Sequence, residues 1–92
     1  MKEDYEIKID DLSKVKVKTI DSKFSLVYLI YTDRWIDIAR IDNFPHAGKQ
    51  GTHIHRLYEE RVEFREMDFE EAVETIIKIG SRIKEIIKNG LY

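Results

Sequence analysis

The sequence predicts an α+β fold: an antiparallel β-sheet of about five or six strands followed by one long C-terminal α-helix packed on one face. Two observations predict it. Through the first two thirds of the chain, apolar residues alternate with charged ones at a period of two. From Phe69 onward the apolar period changes to three and four. The whole chain, 1–92, reads as a single domain, with strands in roughly 5–66 and the helix in roughly 68–89.

Each element has its own signal. Tyr5, Ile7 and Ile9 alternate with Glu6, Lys8 and Asp10, as in a strand with one buried face, and Asp10-Asp11 reads as a turn. Val15, Val17 and Thr19 alternate with Lys14, Lys16 and Lys18, predicting a second strand whose lysine face is solvated. A turn at Asp21-Ser22-Lys23 follows. Residues 24–32 are almost continuously apolar or aromatic, which suits a central strand covered on both faces. Asp33-Arg34 closes a tight hairpin into residues 35–42. Strict alternation there puts Trp35, Asp37, Ala39 and Ile41 on one face, and Ile36, Ile38 and Arg40 on the other. Pro45, Gly48 and Gly51 end that strand. Residues 53–58 resume as a strand, Glu59-Glu60 turns, and residues 61–66 form the last strand with Val62 and Phe64 facing inward.

In the C-terminal segment Phe69, Ala72, Val73, Ile76, Ile77, Gly80, Ile83, Ile86 and Ile87 form one helical face. Asp68 is a good N-cap, with Glu71 three residues later. Glu70, Glu71 and Glu74 lie early and Lys78, Arg82, Lys84 and Lys88 late, complementing the helix dipole. Gly90 after Asn89 is the expected stop. The sheet face away from this helix still carries apolar residues, Ile36 and Ile38 among them, whose burial calls for sheet curvature or a partner such as a second copy.

Composition narrows the function classes. A net charge of −2, with no acidic or basic tail, argues against a dominant electrostatic attraction to nucleic acid. A local basic patch survives this, because Arg40, His46, Lys49, His53, His55 and Arg56 fall in residues 40–56, opposed only by Asp42. The absence of cysteine excludes disulfides and thiolate metal sites. Isoleucine, lysine and glutamate are abundant and glutamine occurs once, at Gln50, a thermophile-like composition. No stretch approaches the ~20 apolar residues that cross a bilayer, and no signal-type run follows Met1-Lys2-Glu3-Asp4, so a cytoplasmic protein without membrane contact is expected.

His53-Ile54-His55 is the clearest chemical constellation. On a strand the two imidazoles stand on the same side. They could ligate zinc or another divalent metal, with Asp42 and His46 as further candidates, although no cofactor is expected. They could act as general acid and base. They could equally be two histidines on a strand edge. Arg40 and Arg56 carry forks of donors suited to phosphate, or they pair with Asp37, Asp42 or Glu59. Asp42 could orient an imidazole, and Asn43 is expected to hold a turn. Tyr28, Tyr31 and Trp35 could stack on bases, but their place in the most apolar strands predicts a core role. Neither the glycines of residues 48–51 nor any serine belongs to a phosphate-binding or nucleophile motif.

Arg40-x-Asp42-Asn43, a loop, His53-x-His55-Arg56, a short strand and a C-terminal helix together resemble the TumE-type family, toxin components of bacterial and archaeal toxin–antitoxin systems. The resemblance spans about residues 24–90 by order of elements. It departs at Ile41, where the family has an aromatic, and in a longer loop containing Phe44-Pro45-His46. It implies a helix-turn-helix antitoxin as partner and marks Asp42, Asn43, His53, His55, Arg40 and Arg56. A ribonuclease-like toxin follows from the family's label combined with the His/Arg chemistry. In that reading His53 and His55 exchange protons, Arg40 and Arg56 steady the phosphate of an RNA, and Asp42 orients an imidazole. The alternative is a non-catalytic interaction module, binding itself or an antitoxin. All of these site readings depend on whether the segments RIDN and HIHR meet.

Overall fold

The alternation of valine and lysine in residues 13–20 is resolved as an alternation of environments: Val15 and Val17 are buried, while Lys16 and Lys18 are exposed. A computed structural model describes residues 2–44, 51–57, 59 and 62–90. Among these the chain forms β1 (Lys2–Asp10), β2 (Ser13–Ile20), β3 (Lys23–Tyr31), β4 (Trp35–Asp42), β5 (His53–Arg56), β6 (Glu63–Phe64) and α1 (Phe69–Lys88). The strands lie side by side in chain order, each antiparallel to the next. The expected α+β arrangement, an antiparallel sheet with the C-terminal helix packed against it, is the one observed. No helix of the described residues is long and apolar enough to cross a membrane.

One irregularity decides which side chains face the helix. Tyr28 pairs with Ala39, but Leu29 pairs with Asp37, so Ile38 is an extra residue on β4. Such a bulge shifts the phase of the strand by one residue. Strict alternation is therefore wrong for β4. Ile38, Ala39 and Ile41 are all buried on the helix side, and Ile36 pairs with buried Ile30. Trp35, Asp37, Arg40 and Asp42 stand on the opposite face, hereafter the open face, across from Tyr31, Leu29, Val27 and Ser25. The bulge gathers Ile36, Ile38, Ala39 and Ile41 on the helix side, which alternation alone would have divided between the two faces.

The core lies between the sheet and α1. Val15, Leu26, Tyr28, Ile41 and Ile54 from the strands are sealed by Ala72 and Ile76 of the helix. Each aliphatic side chain so buried contributes about 1.5–3 kcal/mol. At the start of the helix Phe69 meets Phe24 edge-to-face, with ring centroids 5.8 Å apart. Gly80 is buried directly over the ring of Tyr28. Ile86, expected on the packed face, is instead exposed.

The helix ends follow the sequence. Asp68 caps α1 by accepting a 2.8 Å hydrogen bond from the Glu71 amide. At the other end the Asn89 amide donates to the Glu85 carbonyl at 3.0 Å, and Gly90 turns the chain away at a φ of +69°. Between these, Lys84 donates to Asp10, tying the helix to the β1–β2 turn.

The strand boundaries differ in detail from those expected. β1 begins at Lys2, and its Tyr5 is exposed, because this strand is an edge reached by little of the helix. β5 ends at Arg56 and β6 holds only Glu63 and Phe64. Tyr58, Glu60 and Arg61, expected in the strand and turn segments here, lie outside the described residues. Phe64 does not face inward; it pairs with His53 on the open face and is 49% exposed.

Candidate functional site

The segments RIDN and HIHR meet. β4 and β5 pair so that Asp42 lies opposite His53, Ile41 opposite Ile54, Arg40 opposite His55 and Ala39 opposite Arg56. Directly opposed residues of an antiparallel pair project to the same side. Asp42, His53, Arg40 and His55 therefore share the open face, on two consecutive rungs. Ile41 and Ile54 are buried between those rungs on the helix side and fix the register.

Asn43 anchors the far end of β4. Its Oδ1 accepts from the Phe24 amide at 2.7 Å and its Nδ2 donates to the Ser22 carbonyl at 3.1 Å. This is the turn-holding role expected of it. The Asp21-Ser22 turn it braces has Asp21 at a φ of 55°, a conformation that aspartate tolerates.

The two histidines differ in environment. His53 is 2% exposed and lies against Phe64, ring centroids 4.8 Å apart at 72°. Its Nδ1 sits 3.3 Å from the Asp42 carbonyl oxygen and 3.5 Å from Asp42 Oδ1. Both neighbours are acceptors, so they favour a proton on Nδ1 and hold the ring in one orientation. Asp42 is itself buried, and no other donor reaches its Oδ1 among the described residues. His55, one rung on, is half-buried. Its cross-strand neighbour Arg40 is exposed and has no carboxylate partner among the described residues.

Arg56 is not part of this group. Its register partner, Ala39, is a helix-side residue, and its guanidinium lies 2.9 Å from Glu63 and 3.7 Å from Glu59. A fork already bridged by two carboxylates is a structural tie between β5 and the segment after it. His46, a candidate ligand in the sequence, lies outside the described residues. Among those described, no group of three His, Asp or Glu side chains could hold a metal ion, so His53, His55 and Asp42 do not form such a set by themselves.

Alternation alone concealed a second feature of the same face. Tyr31 and Trp35, expected in the core, are 43% and 40% exposed, and only Tyr28 of the three aromatics is buried. Tyr31 and Trp35 are register partners, packed edge-to-face with centroids 5.4 Å apart. Lys14 Nζ lies 4.3 Å from the centre of the Trp35 ring, a cation–π contact, while also bridging to Glu6 at 3.1 Å. Between this aromatic pair and β1 the open face holds a shallow depression of about 1030 Å³, floored by Val27 and Leu29 and rimmed by both signs of charge, Lys16, Lys18 and Arg34 with Asp4, Glu6 and Asp37.

The charge of this face differs from that of the chain. Lys14, Lys16 and Lys18 of β2, Lys23 of β3 and Arg40 of β4 stand on it, against Asp4, Glu6, Asp37 and Asp42. Lys16 and Lys18 are offset by Glu6 and Asp4 directly opposite on β1. The excess of cations on this face comes from β2 and β3; on β4 Arg40 stands beside His55 with Asp37 and Asp42 on the same side. A net charge of −2 for the chain thus hides a face with more cations than carboxylates. No protein-family model matches the chain, and no curated protein or solved structure matches it.

Proposed function

We propose that this protein acts on RNA through the phosphate backbone, as a toxin-component-like protein of a toxin–antitoxin pair, with Arg40 and His55 as the contacting groups. One observation carries the reading: Arg40 and His55 are cross-strand neighbours on the open face, and Arg40 has no carboxylate partner among the described residues. A guanidinium without a carboxylate offers its donors to a phosphate. The adjacent imidazole can donate to the same group or exchange a proton with it. His53 and Asp42 serve as positioning residues, since the carboxylate holds the buried ring and with it the register of β5. The resemblance to TumE-type toxin components rests on these same segments, RIDN and HIHR.

Labelled single-stranded RNA is the test. Binding weakened about tenfold by Arg40→Ala or His55→Ala, with or without strand cleavage, supports the reading. An RNA left both intact and unbound, with and without divalent metal, refutes it. Growth arrest on expression in a bacterial host, lost in the same variants, tests the toxin component separately.

A second reading is a non-catalytic interaction module. The observation favouring it is on the other side of the molecule, where Leu57, Ile79, Ile83, Ile86 and Ile87 line a groove of about 850 Å³. An antitoxin or a second copy is the partner in that case. Light scattering coupled to size-exclusion chromatography, alone and with an antitoxin encoded beside it, distinguishes the two partners from a monomer.

A further inference from the structure

We infer that Tyr31 and Trp35 form a base-stacking platform, so that the open face takes a single-stranded nucleic acid, bases on this pair and phosphates toward Arg40 and His55. The inference rests on the proposed reading of Arg40 and His55 and adds the ligand's class and direction. Four observations carry it. The two aromatics are exposed although they sit in the most apolar part of the chain, at 43% and 40%. They brace each other edge-to-face, which fixes their planes without burying them. Lys14 Nζ lies over one face of the Trp35 ring, 4.3 Å from its centre, placing a cation at the platform. The rung that carries Arg40 lies four residues from the Tyr31–Trp35 rung along β3, roughly 13 Å at the rise of a strand.

Single strands suit this arrangement better than duplexes. A duplex keeps its bases stacked on each other, whereas a single strand can lay unstacked bases on aromatic rings. Every base has a π-face, so such a platform is tolerant of sequence. The apolar floor of Val27 and Leu29 beside the platform offers further contact for bases, within a rim of mixed charge where Lys16, Lys18 and Arg34 stand among Asp4, Glu6 and Asp37. A second copy of this chain is the competing occupant. The cations in excess on this face disfavour it, because an identical face would bring like charges together.

Trp35 is the only tryptophan of the chain, so its emission reports on this site alone. Titration with decauridylate is expected to quench that emission saturably, with an affinity that falls as salt rises. A duplex of the same length is expected to quench little. Trp35→Ala is expected to weaken binding by about tenfold or more in fluorescence anisotropy, and Trp35→Phe by less, because phenylalanine keeps a ring. An equal response to decathymidylate also supports the platform and assigns it to single strands of either sugar.

Binding by anisotropy with unchanged tryptophan emission, and with Trp35→Ala as tight as the parent, overturns the platform and leaves the Arg40–His55 reading standing. No binding of any strand overturns both. Emission that shifts with protein concentration alone, together with a dimer in light scattering, overturns the platform in favour of a second copy.

Discussion

Gly80 lies over the ring of Tyr28 so closely that a Cβ on it would sit 2.2 Å from both Cγ and Cδ2. Tyr28 is fully buried at the centre of β3, and this contact brings the axis of α1 down onto the sheet. A glycine in mid-helix costs about 1 kcal/mol of propensity relative to alanine. Here that cost is offset by an approach that no larger residue permits.

Gly80→Ala is therefore expected to destabilise the protein, against the usual direction of the substitution in helices. The atoms in the way belong to the base of a buried ring, so either the helix lifts or Tyr28 leaves its rotamer. Overpacking of this kind costs about 1–3 kcal/mol. Thermal unfolding measures it, with the midpoint falling by roughly 4–8 °C for each kcal/mol. An unchanged or raised midpoint would contradict the contact.

Acid should weaken the tie between α1 and the β1–β2 turn. The Lys84 ammonium, and then the Leu12 amide at 2.8 Å, hold the Asp10 carboxyl at about 2, below the ordinary 3.8. Its folded value is depressed, so its stabilisation is fully present above about 3.8 and is lost as pH falls through about 2. The group is exposed, and salt screens the interaction. Chemical denaturation between pH 5 and pH 2 should show a shallower acid limb for Asp10→Asn than for the parent, with the difference shrinking at high salt.

The two histidines should separate by experiment. His53→Ala removes a buried ring from between Asp42 and Phe64 and leaves a buried carboxylate beside a cavity, at a cost of about 2–4 kcal/mol. His55→Ala alters a half-buried position and should cost under about 1 kcal/mol. Urea denaturation distinguishes them. RNA affinity should follow the reverse order once both are compared in conditions where they are folded. Arg56→Ala, which breaks the ties to Glu59 and Glu63 on the helix side, should leave that affinity unchanged.

The helix cap gives a prediction independent of any ligand. Asp68→Ala removes the acceptor of the Glu71 amide and should cost about 1 kcal/mol, whereas Asp68→Ser should recover most of it. Circular dichroism during thermal unfolding reads both.

Much of this fold was legible because its elements obey simple periods. The valine–lysine alternation of β2, the apolar run of β3 and the face of α1 with its Asp68 cap correspond to the strands and helix observed. β4 was legible in its bounds but not in its faces, since a bulge is an extra residue and leaves no mark in the pattern it interrupts. Ile36, Ile38, Ala39 and Ile41 make sense only once the register with Tyr28 and Leu29 is known. The same phase shift hid the exposure of Trp35. For the candidate site, the strand alternation placed His53 and His55 on one side correctly, but their unequal burial depends on Phe64, which arrives from another strand. Arg56, next to His55 in sequence, falls on the opposite face and takes the Glu59 pairing that was the alternative to a phosphate role, with Glu63 beside it.

The chain-order arrangement of the strands bears on how the molecule assembles. Each strand through β4 finds its neighbour across a short turn, so the sheet can grow hairpin by hairpin at little entropic cost. The contact that cannot form locally is that of α1 with β3 and β4, which are distant from it in the chain. Helix docking is then expected to come after the hairpins, and its reversal to be a route of partial opening. Amide exchange should register this as one cooperative unit comprising α1, with the β2–β3 hairpin the slowest to exchange.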